Sequence, residues 1–121
     1  MGKRLHSAVK YVVEYGQKSD FNWLSDKVNP IIDILAENDC SHDGDDLRYS
    51  DSINANRENL IANIDKIITP DENWEYQEDL EIQIQRIERY GEITRERLYD
   101  VLKELIEQSD SNCEVVHFAW Y

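Results

Sequence analysis

A mainly α-helical domain, a bundle of about five helices with one short C-terminal β-strand, is predicted by three observations on this chain. Apolar residues recur at three- and four-residue steps over most of its length. Gly and Pro number only four and two, and the last eight residues are rich in β-branched and aromatic side chains. With 121 residues the chain is a single domain, 1–121, long enough for a real core and too short for two. An α+β arrangement follows instead if residues 80–85 are extended.

Leu5, Ala8, Val9, Val12 and Val13 share helical spacing, and Gly16 ends the pattern, so residues 4–15 are expected to form a first helix. Asp20 is a good N-cap for a second, whose apolar row is Phe21, Leu24, Val28, Ile31, Ile32 and Leu35. Pro30 removes a backbone donor and clashes with the preceding turn, which predicts a kink or break at Asn29-Pro30. Asp39–Asp51 has no apolar periodicity and is expected to be a polar loop. A third helix should place Ile53, Leu60, Ile61, Ile64, Ile67 and Ile68 on one face and end before Pro70.

Thr69-Pro-Asp-Glu72 has the form of a capping box with Pro at the first helical position, so a fourth helix is expected from there. Residues 74–90 carry two patterns. Leu80-Glu-Ile82-Gln-Ile84 alternates like a strand, whereas Leu80, Ile84, Ile87 and Gly91 fit a helix; the length and the good helix formers favour helix. Leu98, Val101, Leu102, Leu105 and Ile106 define the cleanest helix, capped by Thr94. Glu114–Tyr121 is expected to be a strand, and its backbone needs a partner. Residues 80–85, the same strand of a second copy in a homodimer, and the sheet edge of another protein are all open.

Charge is the strongest functional signal. Of a net −13, residues 33–81 carry fifteen Asp/Glu against Arg48, Arg57 and Lys66, a balance of −12. Like charges at this density destabilise the compact state unless cations meet them. A basic protein partner is therefore expected, the commonest kind being one that itself binds nucleic acid. The residues expected to meet it are Asp43, Asp45, Asp46, Tyr49 and Asp51 in the polar loop, and Asp71, Trp74, Glu75, Tyr76, Glu78 and Asp79 further on. On a helix Asp71, Glu75, Glu78 and Asp79 fall on one side, at separations that can imitate nucleic-acid phosphates. Tyr and Trp set among carboxylates suit Arg by ion pairing and stacking. The plain alternative is a solvated surface that aids solubility, on a non-enzymatic dimeric regulator or assembly protein.

Other functions find little support. Asp39, Ser41, Asp43 and Gly44 match the opening of a calcium loop, but Ser50 stands where the bidentate Glu belongs and Asp46 where an apolar residue belongs. Cys40-x-His42 and Cys113-x3-His117 have zinc-ligand chemistry, but the first spacing is not one that structural zinc sites usually employ. Tyr90-Gly-Glu-Ile-Thr-Arg-Glu-Arg-Leu98 resembles the lead-in to a winged helix-turn-helix, yet residues 94–108 run on as one helix. The cations there are matched by Glu88, Glu92, Glu96, Asp100 and Glu104, so direct nucleic-acid binding is not expected. No nucleophile signature or phosphate loop is present, and the expectation is no enzyme, no catalytic residue, no metal and no cofactor. Without an apolar span or a signal-like start, the expected compartment is the cytoplasm and no membrane contact is expected.

Overall fold

The computed structural model describes residues 5–7, 25–90 and 93–120. These form strand β1 (Leu5–Ser7), helix α1 (Ser25–Leu35), strands β2 (Cys40–His42) and β3 (Ser52–Asn56), and helices α2 (Arg57–Asn63), α3 (Gln77–Tyr90) and α4 (Arg95–Gln108). Strand β4 (Val115–Trp120) follows. Short 3-10 segments occupy Leu47–Tyr49 and Ile64–Ile67. The domain is predominantly helical, but in place of a five-helix bundle the described helices accompany a four-stranded antiparallel sheet of order β1-β4-β3-β2.

The register explains the core. Ile53 faces Phe118, Ala55 faces Val116 and Leu5 faces Trp120, all buried on one face. Asn54 and His117 pair on the other, with His117 Nδ1 2.7 Å from Asn54 Oδ1. The inward side chains join Val28, Ile31, Ile32 and Leu35 of α1, Leu80, Ile84 and Ile87 of α3, and the Leu98–Ile106 face of α4 in a single core. Each fully buried aliphatic contributes about 1.5–3 kcal/mol of hydrophobic stabilisation.

That sum accounts for one departure from expectation. Helix α1 continues through Pro30 without a break. A mid-helix Pro costs roughly 3 kcal/mol, and the buried side chains on either side of it outweigh the lost bond. The helix ends instead at Leu35, and in the turn beyond it Glu37 and Asn38 are both left-handed (φ +55° and +64°). Asn tolerates this conformation better than Glu does, and Glu37 Oε2 is tied down by the amide of Asn63 at 2.9 Å.

Other expectations need correction. Leu5–Ser7 is a strand and not the start of a helix, because it pairs with β4; residues 8–15 and the Asp20 cap lie outside the described residues. Ile53 belongs to β3, where its alternation with Ala55 serves the sheet, so the third helix begins only at Arg57, capped by Asn56. Ile61 and Ile68 are exposed, whereas Leu60, Ile64 and Ile67 are buried. No helix starts at Thr69. The chain turns twice, with Trp74 N bonded to Asp71 O and Gln77 N to Trp74 O, and α3 begins at Gln77.

Of the helix expected over 74–90, the part from Gln77 to Tyr90 is present, and so is the Thr94-capped helix. Strand β4 finds its partners inside the chain, β3 along most of its length and β1 at residues 118–120, not at residues 80–85. A homodimer through this strand thus loses the free edge on which it rested at 118–120. Among the described residues no helix is long and apolar enough to cross a membrane.

Candidate partner-binding surface

The expected binding residues fall into two groups in different parts of the fold. No hydrogen bond or ion pair among the described residues joins the two.

The first group sits on the β2–β3 connection. Asp43 leaves β2 and turns its carboxylate back to accept from the backbone N–H groups of Asp51 (3.0 Å) and Ser52 (3.1 Å). Gly44 follows at φ +70°, a conformation that glycine adopts without the Cβ penalty. Asp46 caps the 3-10 turn by accepting from Arg48 N–H, and also forms an ion pair with the Arg48 guanidinium at 2.9 Å. Hydrogen bonds from Arg48 hold the Asp46 carboxyl below its ordinary value. Ser50 Oγ donates to the carbonyls of Asp43 and Asp46.

Beneath the loop, the wholly buried Asn29 donates from Nδ2 to the carbonyls of Leu47 (2.9 Å) and Ser50 (3.0 Å). Its Oδ1 accepts from the indole N–H of Trp120 at 2.8 Å. The loop is thus a fixed platform. Asp43 and Asp46 build it, while Asp45 and Asp51 lie at its surface. Tyr49 is 65% exposed, with the Arg48 guanidinium 5.3 Å from its ring centroid.

The second group lies before and within the first turn of α3. Asp71 and Glu75 are in turns, so the one-sided helical row expected for Asp71, Glu75, Glu78 and Asp79 does not form. Asp71 accepts from Asn73 N–H, while its own N–H donates to Gln77 Oε1 at 2.9 Å. Glu75, Glu78 and Asp79 are exposed. Trp74 and Tyr76 are no free anchors. Both are partly buried against the core, 5.5 Å apart, and Lys66 Nζ lies 4.5 Å over the Trp74 ring. The Trp74 Nε1 atom is buried with no hydrogen-bond partner. Glu72, Glu75, Glu78 and Glu81 border a groove of about 430 Å³ beside this indole. Glu81 is neutralised by Arg95 in a two-pronged pair (2.9 and 2.6 Å), which lowers the Glu81 carboxyl below its usual range.

The three cations of residues 33–81 are turned to different ends. Arg48 meets Asp46. Lys66 meets Trp74 and the Asn63 side chain. Arg57 turns onto the loop that leads into β4 and directs all five of its N–H donors there. They reach the carbonyls of Cys113 (2.8 Å), Ile106, Asp110 and Val115 and the hydroxyl of Ser109 (2.7 Å).

The metal readings find no geometry. His42 pairs with Ile53 on the inward face of the sheet and His117 with Asn54 on the outward face, so the two Cys/His pairs do not converge. Asp39 accepts from the Asn56 amide and Asp43 from the backbone, leaving the calcium-like loop closed on itself. Among the described residues no three His, Cys, Asp or Glu side chains group as ligands would.

Asn29, and the cleft that Arg57 closes, had no signal in the sequence, since their partners lie 18 to 91 residues away. No protein-family model, curated protein or solved structure matches this chain.

Proposed function

We propose that this chain is a small acidic binding protein that inhibits a basic, nucleic-acid-binding protein, a nuclease or defence enzyme, by occluding its positively charged groove. Anti-restriction, anti-CRISPR and immunity proteins share that physical description. One observation supports this reading above the others: the exposed carboxylates of residues 39–79 outnumber the cations near them, and two of the three local cations serve other partners. Asp45, Glu72, Glu75, Glu78 and Asp79 are exposed, and no cation pairs with them among the described residues. Such charges raise the association rate and select against acidic partners more than they add affinity. Tyr49 is the exposed aromatic of the set and the natural contact for a guanidinium.

The test avoids carboxylates that hold the fold. Asp43, Asp46 and Asp71 accept backbone bonds, so the charge-reversed chain carries Asp45→Lys, Glu75→Lys, Glu78→Lys and Asp79→Lys. Immobilised native chain is challenged with lysate at low and high salt, and each eluted protein is assayed for nucleic-acid binding with and without added chain. The expected result is a basic protein retained at low salt, released at high salt, and displaced from nucleic acid by the native chain only. Exposed charges are screened beyond about 8 Å at physiological ionic strength, so salt-insensitive capture, or full inhibition by the reversed chain, refutes the proposal.

A further inference from the structure

We infer that the cleft between α2 and the α4–β4 loop is a docking notch for an arginine or lysine side chain on a peptide segment of a protein partner. It rests on the basic-partner reading but uses none of the carboxylates in the two groups above. The cleft, of about 610 Å³, has Ile61 as its apolar surface, Glu58 and Glu114 as its acids, and Cys113 and Asn112 along its loop wall. That volume lies within the roughly 300–1,000 Å³ of ordinary ligand sites and exceeds one side chain, leaving room for flanking backbone.

Three features select the guest. Ile61 is 56% exposed, an aliphatic surface on which the methylene stem of Lys or Arg can lie while its charged head reaches water. Glu58 and Glu114 are both exposed acceptors for that head. The cation lining the cleft, Arg57, has all five donors occupied by acceptors within the protein, so an anionic guest meets carboxylates and finds no N–H from Arg57. The Arg57 N–H itself bonds Glu114 O at 2.9 Å, which ties the two walls together.

Cys113 is a free, exposed thiol on the wall of this cleft, and Cys40 is a half-buried thiol bonded to Asp33. The rate of maleimide alkylation at Cys113 therefore reports occupancy, with Cys40 as the control in the same molecule. The probe is a capped Leu-Arg-Leu-Arg-Leu-Arg peptide, compared with Leu-Glu and Gly-Arg hexapeptides. We expect saturable slowing of Cys113 alkylation, at least threefold, with the Leu-Arg peptide, less with Gly-Arg and none with Leu-Glu. Protection should fall to the Gly-Arg level in Ile61→Ser and disappear in Glu58→Gln/Glu114→Gln. Both substitutions are at exposed positions, and circular dichroism verifies the fold.

Equal protection by all three peptides, or protection unaltered in both variants, overturns the notch. The charge-reversed chain of the preceding section keeps Glu58, Ile61 and Glu114 and should retain protection. If the native chain captures no basic protein yet Cys113 is protected in this pattern, the inhibitor reading fails and the notch stands.

Discussion

Replacing Asn29 by Ala tests how the candidate platform is held. The side chain is wholly buried and makes three good bonds, to Leu47 O, to Ser50 O and from Trp120 Nε1, at 2.8–3.0 Å. Alanine leaves two carbonyls and one indole N–H without their partner, in surroundings where Ser50 and Trp120 are themselves buried. Each orphaned buried group costs about 1–3 kcal/mol. Leu47 O still accepts from Ser50 N–H at 3.3 Å, so two full penalties are the better count, or roughly 4 kcal/mol. A domain of this size has about 5–15 kcal/mol in total. The urea midpoint should therefore fall by about a quarter or more at nearly constant slope, and Trp120 emission should change with it. Asn29→Asp sharpens the test. It keeps an acceptor for Trp120 but sets a carboxylate against two carbonyl oxygens, and burial favours its neutral form. With the folded-state pKa raised, the loss should be greatest at neutral pH and shrink as pH falls and the carboxyl regains a proton to donate. If Asn29→Ala costs less than about 1 kcal/mol, the loop is not held from beneath.

Other outcomes follow from the same geometry. Arg57→Lys keeps the charge but supplies three donors in place of five; it should lower stability by about 2 kcal/mol in urea unfolding and speed amide exchange in residues 109–114. Glu81→Gln should cost about 1 kcal/mol at pH 7, given a partly exposed two-pronged pair. Since the Glu81 carboxyl is depressed, that difference is fully present above the unfolded carboxylate value and should be lost progressively as pH falls from there through the lower folded-state value. Burial pushes the Cys40 thiol up to about 12, reinforced by its bond to Asp33, so Cys113 should be alkylated at pH 8 at least tenfold faster than Cys40 in a peptide-mapped time course. Raising NaCl from about 0.01 M to 1 M shortens the screening length from about 30 to 3 Å. With a net −13 the melting temperature should rise over that range; a fall would mean that attractive pairs outweigh the repulsion.

The parts of this fold that the sequence determines by itself are those whose cause is local. Helices α3 and α4 each sustain a 3.6-residue apolar pattern over fourteen residues, and Thr94 supplies a cap that needs nothing distant. The run of β-branched and aromatic residues at 115–120 likewise has the composition of a strand wherever it lies. The density of acid in residues 33–81 is also a property of the chain alone.

Tertiary structure decided the rest. Leu5–Ser7 and Cys40–His42 have three residues each, too few for a period, and are strands because β4 and β3 offer them a ladder. Ile53 has helical spacing to Leu60 but is drawn into the sheet opposite Phe118. Capping chemistry at Thr69–Glu72 yields to the pull of Trp74 and Tyr76 onto the core, which sets the start of α3 eight residues later. Composition can count carboxylates, but only folding divides them into those that accept backbone bonds, Asp43, Asp46 and Asp71, and those that face solvent, such as Asp45 and Glu78. A carboxylate count is fixed by composition, whereas the N–H groups that occupy Asp43, Asp46 and Asp71 reach them only because the loops fold back on themselves over two to nine residues.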